Sequence, residues 1–281
     1  LDRRPSLRAA AAAAVLASLL GACEMAPTFG KQDMNRTVRE VCKKEYNFDV
    51  EARLTGKTLY VGGVLDGLVG RDLGLQQDTL AKLEGAMLST TRAALSTDAE
   101  INFLAVKARD SRLGVTVTLL RYFPDVKSLI YMRISRADFE TRLVLETDSA
   151  LEPESPDAWR EVTMTEFMSR LVASRLQRQF SSNPLITAFL RIRRVKGSFK
   201  AGVLSLQLDK FENEPETNLL VEEILRSAVE ETVADVVRKY DAGSVLKRVS
   251  VKDDSGRQLL DLETAAFLEK TKDAPRPAAL P

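Results

Sequence analysis

The chain has 281 residues, with 41 Lys and Arg against 40 Asp and Glu and no histidine. Near-neutral charge excludes bulk attraction to nucleic acid, and the missing imidazole excludes Ser-His and Cys-His catalysis, histidine metal ligation and the usual pH switch. At 44% hydrophobic and 29% charged residues, this is the composition of a globular protein, long enough for one large domain or two smaller ones.

In chain order, Arg3, Arg4 and Arg8 precede an apolar run, Ala9 to Leu20, which closes on Leu20-Gly21-Ala22-Cys23. A basic start, a short apolar stretch and small residues at a cleavage point are the layout of a secretion signal. The run is too short to span a bilayer core as a helix and lacks the polar face of an amphipathic one. Leu20 to Cys23 resembles the lipobox of bacterial lipoproteins. That resemblance implies cleavage between Ala22 and Cys23, acyl chains on Cys23 as the membrane attachment, and, because Glu24 rather than Asp follows, retention at the periplasmic side of the outer membrane. Arg3-Arg4 reads as ordinary leader charge, since Pro5 and Ser6 do not fit twin-arginine export. Cys42 is then the remaining thiol, expected to be buried in a helix over 36–46.

Residues 23–36 read as a lipidated tether. Strict alternation over Asn47 to Leu54 predicts a half-buried strand, turned by Thr55 to Thr58 into a hairpin partner, Leu59 to Val64. Gly62, Gly63, Gly67, Gly70 and Gly74 crowd the next stretch, a candidate functional loop. A helix capped by Asp78 and running to Thr97 follows, then a hairpin of Ile101 to Ala108 and Val115 to Tyr122. Pro124 and Ser135 are expected to open two short helices. Residues 146–158 read as an acidic linker, and 157–180 as a helix. A hairpin of Ala188 to Lys196 and Phe199 to Asp209, turned near Gly197, leads to a helix over 213–240. Its stripe of Val221, Leu225, Ala228, Val229, Val233, Val236 and Val237 is the strongest in the chain. A last hairpin, Val245 to Lys252 and Arg257 to Leu262, turns through Asp253 to Gly256. A disordered tail is expected at 271–281.

Hairpin, helix, hairpin therefore recurs at 47–122 and 187–262. The expectation is an α+β fold of largely antiparallel sheet with helices on one face. It is organised as halves at 37–145 and 159–270, with the two stripes meeting in one core.

Gly56-Lys57-Thr58 looks like the end of a phosphate-binding loop, but Glu51 stands where that pattern needs glycine and a strand follows instead of a helix. No catalytic residue, metal ligand or cofactor emerges from the motifs. The anomaly is charge order. Arg170, Arg175, Arg178, Arg191, Arg193, Arg194, Lys196 and Lys200 fall in 167–208 without an acidic residue, and nine acidic residues follow in 209–235. The segment Arg191 to Lys200 is a candidate contact for an envelope protein, anionic lipid or cell-wall polymer; internal pairing of the two blocks is the other outcome. The expected role is structural or interactive at the envelope, with a carrier of a small or lipidic ligand and a hydrolase with dispersed carboxylates as alternatives.

Overall fold

The computed structural model describes residues 29–70, 75–149, 156–182, 192–210 and 219–270. The expected tail at 271–281 and residues 23–28 of the expected tether lie outside them; the rest of that stretch, 29–36, is not tether but folds as a 3-10 turn and the start of a helix with Met34 fully buried. The Phe29 amide donates to the Ser96 carbonyl, and Phe29 bridges Thr97. A 3-10 turn, Lys31–Asp33, leads into α1, Met34–Tyr46. Met34, Val38 and Cys42 recur every fourth residue, share one side of the helix and are fully buried. Asn47 ends α1 in the left-handed region at φ 48°, with its amide returning to Lys43 and that of Phe48 to Cys42. Asparagine tolerates that conformation. Asn47 is therefore a helix cap rather than the first residue of a strand.

The first half continues with β1 (Val50–Thr55), β2 (Thr58–Leu65), α2 (Gln77–Leu95), β3 (Phe103–Asp110) and β4 (Val115–Tyr122). It ends with α3 (Phe123–Ile130), α4 (Arg136–Thr141) and β5 (Val144–Ser149). Ser135 caps α4 by accepting from the Asp138 amide at 3.0 Å, as its position predicts. Asp78 does not cap α2: Gln76 holds that position, with no side-chain bond. The acidic stretch read as linker begins as β5, an edge strand. Only Val144 of β5 is buried, so its hydrophobic pattern is faint, while Glu146 and Asp148 bind arginines of the second half.

The second half comprises α5 (Met164–Ser182), β6 (Ile192–Lys200), β7 (Val203–Lys210), α6 (Leu219–Lys239), β8 (Arg248–Asp253), β9 (Gln258–Glu263) and α7 (Thr264–Lys270). Trp159 and Val162 are buried, but from an extended segment before α5; the helix starts where the Thr163 hydroxyl accepts from the Glu166 amide at 3.2 Å. Gly197 lies in mid-strand, and the hairpin turns at Ala201-Gly202, both at positive φ. A Cβ at Gly197 would collide with the Ser169 carbonyl of α5, so glycine serves close helix–strand approach there. Gly197→Ala is expected to cost about 1–3 kcal/mol, read as a lowered urea midpoint, because a backbone atom must give way.

Two sheets result, ordered β1-β2-β3-β4-β5 and β6-β7-β8-β9. Hairpin partners are antiparallel, while β2 with β3 and β7 with β8 are parallel, as a helical crossover requires. The halves match in register. Lys57 O accepts from the Asn102 and Phe103 amides and Asn102 O from Phe123, just as Gly202 O accepts from Lys247 and Arg248 and Lys247 O from Thr264. The matching unit is longer than hairpin, helix, hairpin, since α1 and α5 precede the first hairpins and α3 and α7 follow the second.

The two stripes do not meet in one core. α1 and α2 cover one face of the first sheet, over Leu59, Val61, Leu104 and Val106. The equivalent residues Leu204, Leu206, Val249 and Val251 lie in a second core with α5 and α6. Tyr60, Phe103, Ala105 and Leu120, on the first sheet's other face, join that second core, so α5 is shared and the first sheet is covered on both faces. The layers run α1/α2, first sheet, α5/α6, second sheet.

Candidate functional site

Gly62 and Gly63 are part of β2. A Cβ at Gly62 would lie 2.7 Å from the Trp159 ring and one at Gly63 2.5 Å from both Phe48 and the Asp49 carbonyl, so these glycines allow close packing on either face. Gly67 turns the chain at φ 71° and Gly70 is half-buried; Gly74 lies outside the described residues. The segment is fastened down. The Val69 amide donates to Asp110 at 3.1 Å, Thr79 donates to the Gly67 carbonyl at 3.1 Å, and Ser111 donates to Asp66. Leu68 and Val69 are buried in the first core. Burial pushes the Asp110 carboxyl up, but amides of Leu113, Val69, Arg112 and Leu68 outweigh it and hold the group below the usual carboxylate range.

Half of the basic block is ion-paired among the described residues. Arg170 meets Glu146 at 2.5 Å, Arg175 meets Asp235 at 2.5 Å, Arg194 meets Asp148 at 3.0 Å and Lys196 meets Asp209 at 3.6 Å. Two of those acids belong to the acidic block and two to β5. Arg193 and Lys200 are exposed with no ion pair among the described residues; Arg191 lies outside them. Lys196 and Lys200 also stand on the outer face of the second sheet, in cross-strand rows with Lys252 and Arg248. Between those rows runs Ser198–Ser205–Ser250. Among the described residues no helix covers this face, and its strand alternation, apolar inward and Ser, Lys or Gln outward, is that of a solvated sheet. Arg248 and Lys252 could have been placed there from the period-two pattern of their own strand.

The residues that sequence reasoning missed form a buried chain of charges where α3 and α4 meet α6. Asp125, 4% exposed, binds Arg142 at 2.8 Å and accepts from the Tyr240 hydroxyl at 2.7 Å. Arg142 reaches Asp138 at 2.7 Å, Lys239 reaches Asp138 at 2.7 Å and Asp235 at 2.8 Å, and Asp235 ends on Arg175. Burial pushes Asp125 up, with Tyr240 and Arg142 offsetting it only in part. For Asp138 and Asp235 burial is outweighed by hydrogen bonds, from Lys239 and Arg142 and from Lys239 and Arg175, and both are held low. Burial and the Asp125 charge raise Tyr240, so its hydroxyl stays protonated and donating. Arg121 is pushed down to about 10 by burial; it stacks on Phe139 at 3.7 Å and remains a cation at neutral pH. Two links are helical i,i+4 pairs readable in sequence, Asp138–Arg142 and Asp235–Lys239. Their joining through Asp125 and Tyr240 is tertiary.

Each carboxylate of this chain is clasped by cations, and no Ser, Thr or Cys nucleophile lies hydrogen-bonded to a free base within it. Its chemistry is that of a joint. An apolar crevice between α5, α6 and the second sheet, lined by Met168, Val172, Leu204 and Val233, has about 10 Å³ of free interior, room for one water at most. Among the described residues no helix is long and apolar enough to cross a membrane, and no group of His, Cys, Asp and Glu could hold a metal ion. No protein-family model matches the chain, and no curated protein matches it. Ala22 and Cys23 lie outside the described residues.

Proposed function

We propose that the protein is lipid-anchored through Cys23 at the periplasmic side of the bacterial outer membrane and acts by binding an acidic envelope partner rather than by catalysis. The observation that carries the binding role is the open face of the second sheet. Where the first sheet presents Tyr60, Phe103 and Ala105 to a helical layer, the register-equivalent positions of the second are Ser205, Arg248 and Ser250. That exchange rejects a further apolar layer and leaves Lys200 and Lys252 facing solvent, while on the same face Lys196 pairs with Asp209 and Arg248 with Asp261. The crevice between α5, α6 and the second sheet is far below the several hundred Å³ of a ligand site and does not itself support a carrier role.

Two measurements test this. Cys23→Ala should move the exported protein from the membrane pellet to the soluble fraction, because the thioether to diacylglycerol needs that sulfur. Retention in the pellet after a salt wash would reject the anchor. Lys200→Glu with Lys252→Glu should weaken binding to an anionic cell-wall polymer and flatten its salt dependence while leaving the melting temperature in place. Unchanged binding would remove the sheet face as the contact.

A further inference from the structure

The connection between β4 and β5 ends α3 in a way that folding does not explain. Ile130, Tyr131 and Met132 are 54%, 68% and 91% exposed, three large apolar side chains in succession. The Met132 amide donates to Leu129 O and that of Arg133 to Ser128 O, which closes the helix with Met132 at φ 54°. That position is ordinarily taken by glycine or asparagine, because a Cβ there is strained. A methionine held there with its side chain in water is a local cost with no packing in return.

Along the chain the tip is flanked by cations. From Val126 to Ala137 the chain carries Lys127, Arg133 and Arg136 and no acidic residue, and the Arg133 guanidinium lies 5.5 Å from the Tyr131 ring centre. Arg136 pairs with Glu140, leaving Lys127 and Arg133 beside the apolar tip. The tip also lies at the end of the first sheet where the chain enters the fold. Phe123 bonds Asn102, Asn102 bonds Lys57, and Phe29 bonds Ser96 at the start of the same α2–β3 connection, next to the exposed Leu95. From Cys23 to Phe29 the chain can span at most about 20 Å.

We propose that Ile130, Tyr131 and Met132 insert into the headgroup and upper acyl region of the anionic membrane that holds the lipid on Cys23, with Lys127 and Arg133 on its phosphates. The inference rests on the lipid-anchor reading. Exposed aliphatic side chains, a tyrosine at headgroup depth and flanking cations are the chemistry of interfacial binding, and the short tether keeps this end of the domain close to the bilayer. The insertion would fix the orientation of the domain, which a single point of attachment does not.

The test uses the full lipidated chain in phosphatidylethanolamine–phosphatidylglycerol vesicles, with Tyr131→Cys carrying an environment-sensitive fluorophore. Cys42 is fully buried, its thiol raised to about 11 by burial with Glu45 adding to it, and does not compete for the label. Quenching by lipids spin-labelled high on the acyl chain is expected at Tyr131→Cys and absent at Leu113→Cys, an exposed position in the turn at the far end of the sheet. Adding Met132→Gly, or Lys127→Glu with Arg133→Glu, should lower the quenching to the Leu113→Cys level. Met132→Gly should at the same time raise the melting temperature, which separates lost insertion from lost folding. A chain retained on the vesicles with an unquenched probe overturns this inference and leaves the anchor standing. A probe shielded from aqueous iodide yet unquenched by lipid points to a protein cover and also overturns it. Loss of the whole chain in a salt wash overturns both readings.

Discussion

Val229→Asp should leave the protein unfolded at room temperature, with the cooperative urea transition of the parent lost. Val229 is fully buried in the second core, on the α6 face that packs over Leu204 and Leu206. A carboxylate there meets no donor, and either its ionised form stays unpaired or its pKa must rise steeply; both routes cost several kcal/mol. A domain near the lower end of the usual net stability of about 5–15 kcal/mol is emptied of its native state by a loss of that size. The adjacent Glu230 is partly exposed, so Glu230→Lys should change stability by no more than about 0.5 kcal/mol. Circular dichroism of the two variants side by side checks the pair, and equal damage from both would mean that the face of α6 is wrongly placed.

Arg142→Ala should be the next most damaging change, at about 3–5 kcal/mol, because it strips the buried Asp125 of its cation and leaves Tyr240 as its remaining close donor. Removing Asp125 as well, in Arg142→Ala with Asp125→Ala, should recover part of that loss, since the penalty is an uncompensated charge more than a missing bond. The pH dependence distinguishes the two. Asp125 is raised in the fold, so its penalty is fully present above its folded pKa and is relieved as pH falls through it; Arg142→Ala should gain stability on mild acidification from neutrality. Asp138 and Asp235 are held low, so their contribution is present above the ordinary Asp value of about 3.9 and is lost as pH falls through their depressed values. The parent should therefore show a small gain of the same origin before it weakens below about pH 4, and the variant a larger one, because its Asp125 has lost the cation that offsets burial. Urea midpoints across the acid range measure both curves, and a variant that only weakens on acidification would show that Asp125 is not the group left bare.

Local pattern carried much of the fold into the sequence. Cys42 buried in a short helix, the Val-rich stripe of α6, the alternation of β7 and the Ser135 cap are each settled within a turn or a hairpin, where periodicity and hydrogen-bond geometry leave one answer. So is the repetition of hairpin, helix, hairpin. Short-range signals failed where a neighbour in space decided. Gly197 and Gly62 read as turn and loop because glycine permits those, yet Ser169 and Trp159 are what require them. β5 has too few apolar residues to announce a strand and exists because β4 offers it a free edge and Arg170 and Arg194 hold its acids.

The sequence by itself determined the α+β class and which face of each long helix and strand is apolar. Only the tertiary structure decided what covers those faces. A period of 3.6 or 2 marks a side as buried without naming its partner, so nothing local reveals that α5 serves both sheets, or that Tyr60, Phe103 and Ala105 meet a helix while Ser205, Arg248 and Ser250 meet water. Likewise i,i+4 spacing exposes Asp138–Arg142 and Asp235–Lys239 separately. Their union through Asp125 and Tyr240 joins residues more than a hundred positions apart, and chain closure, not sequence neighbourhood, brings those groups within hydrogen-bond range.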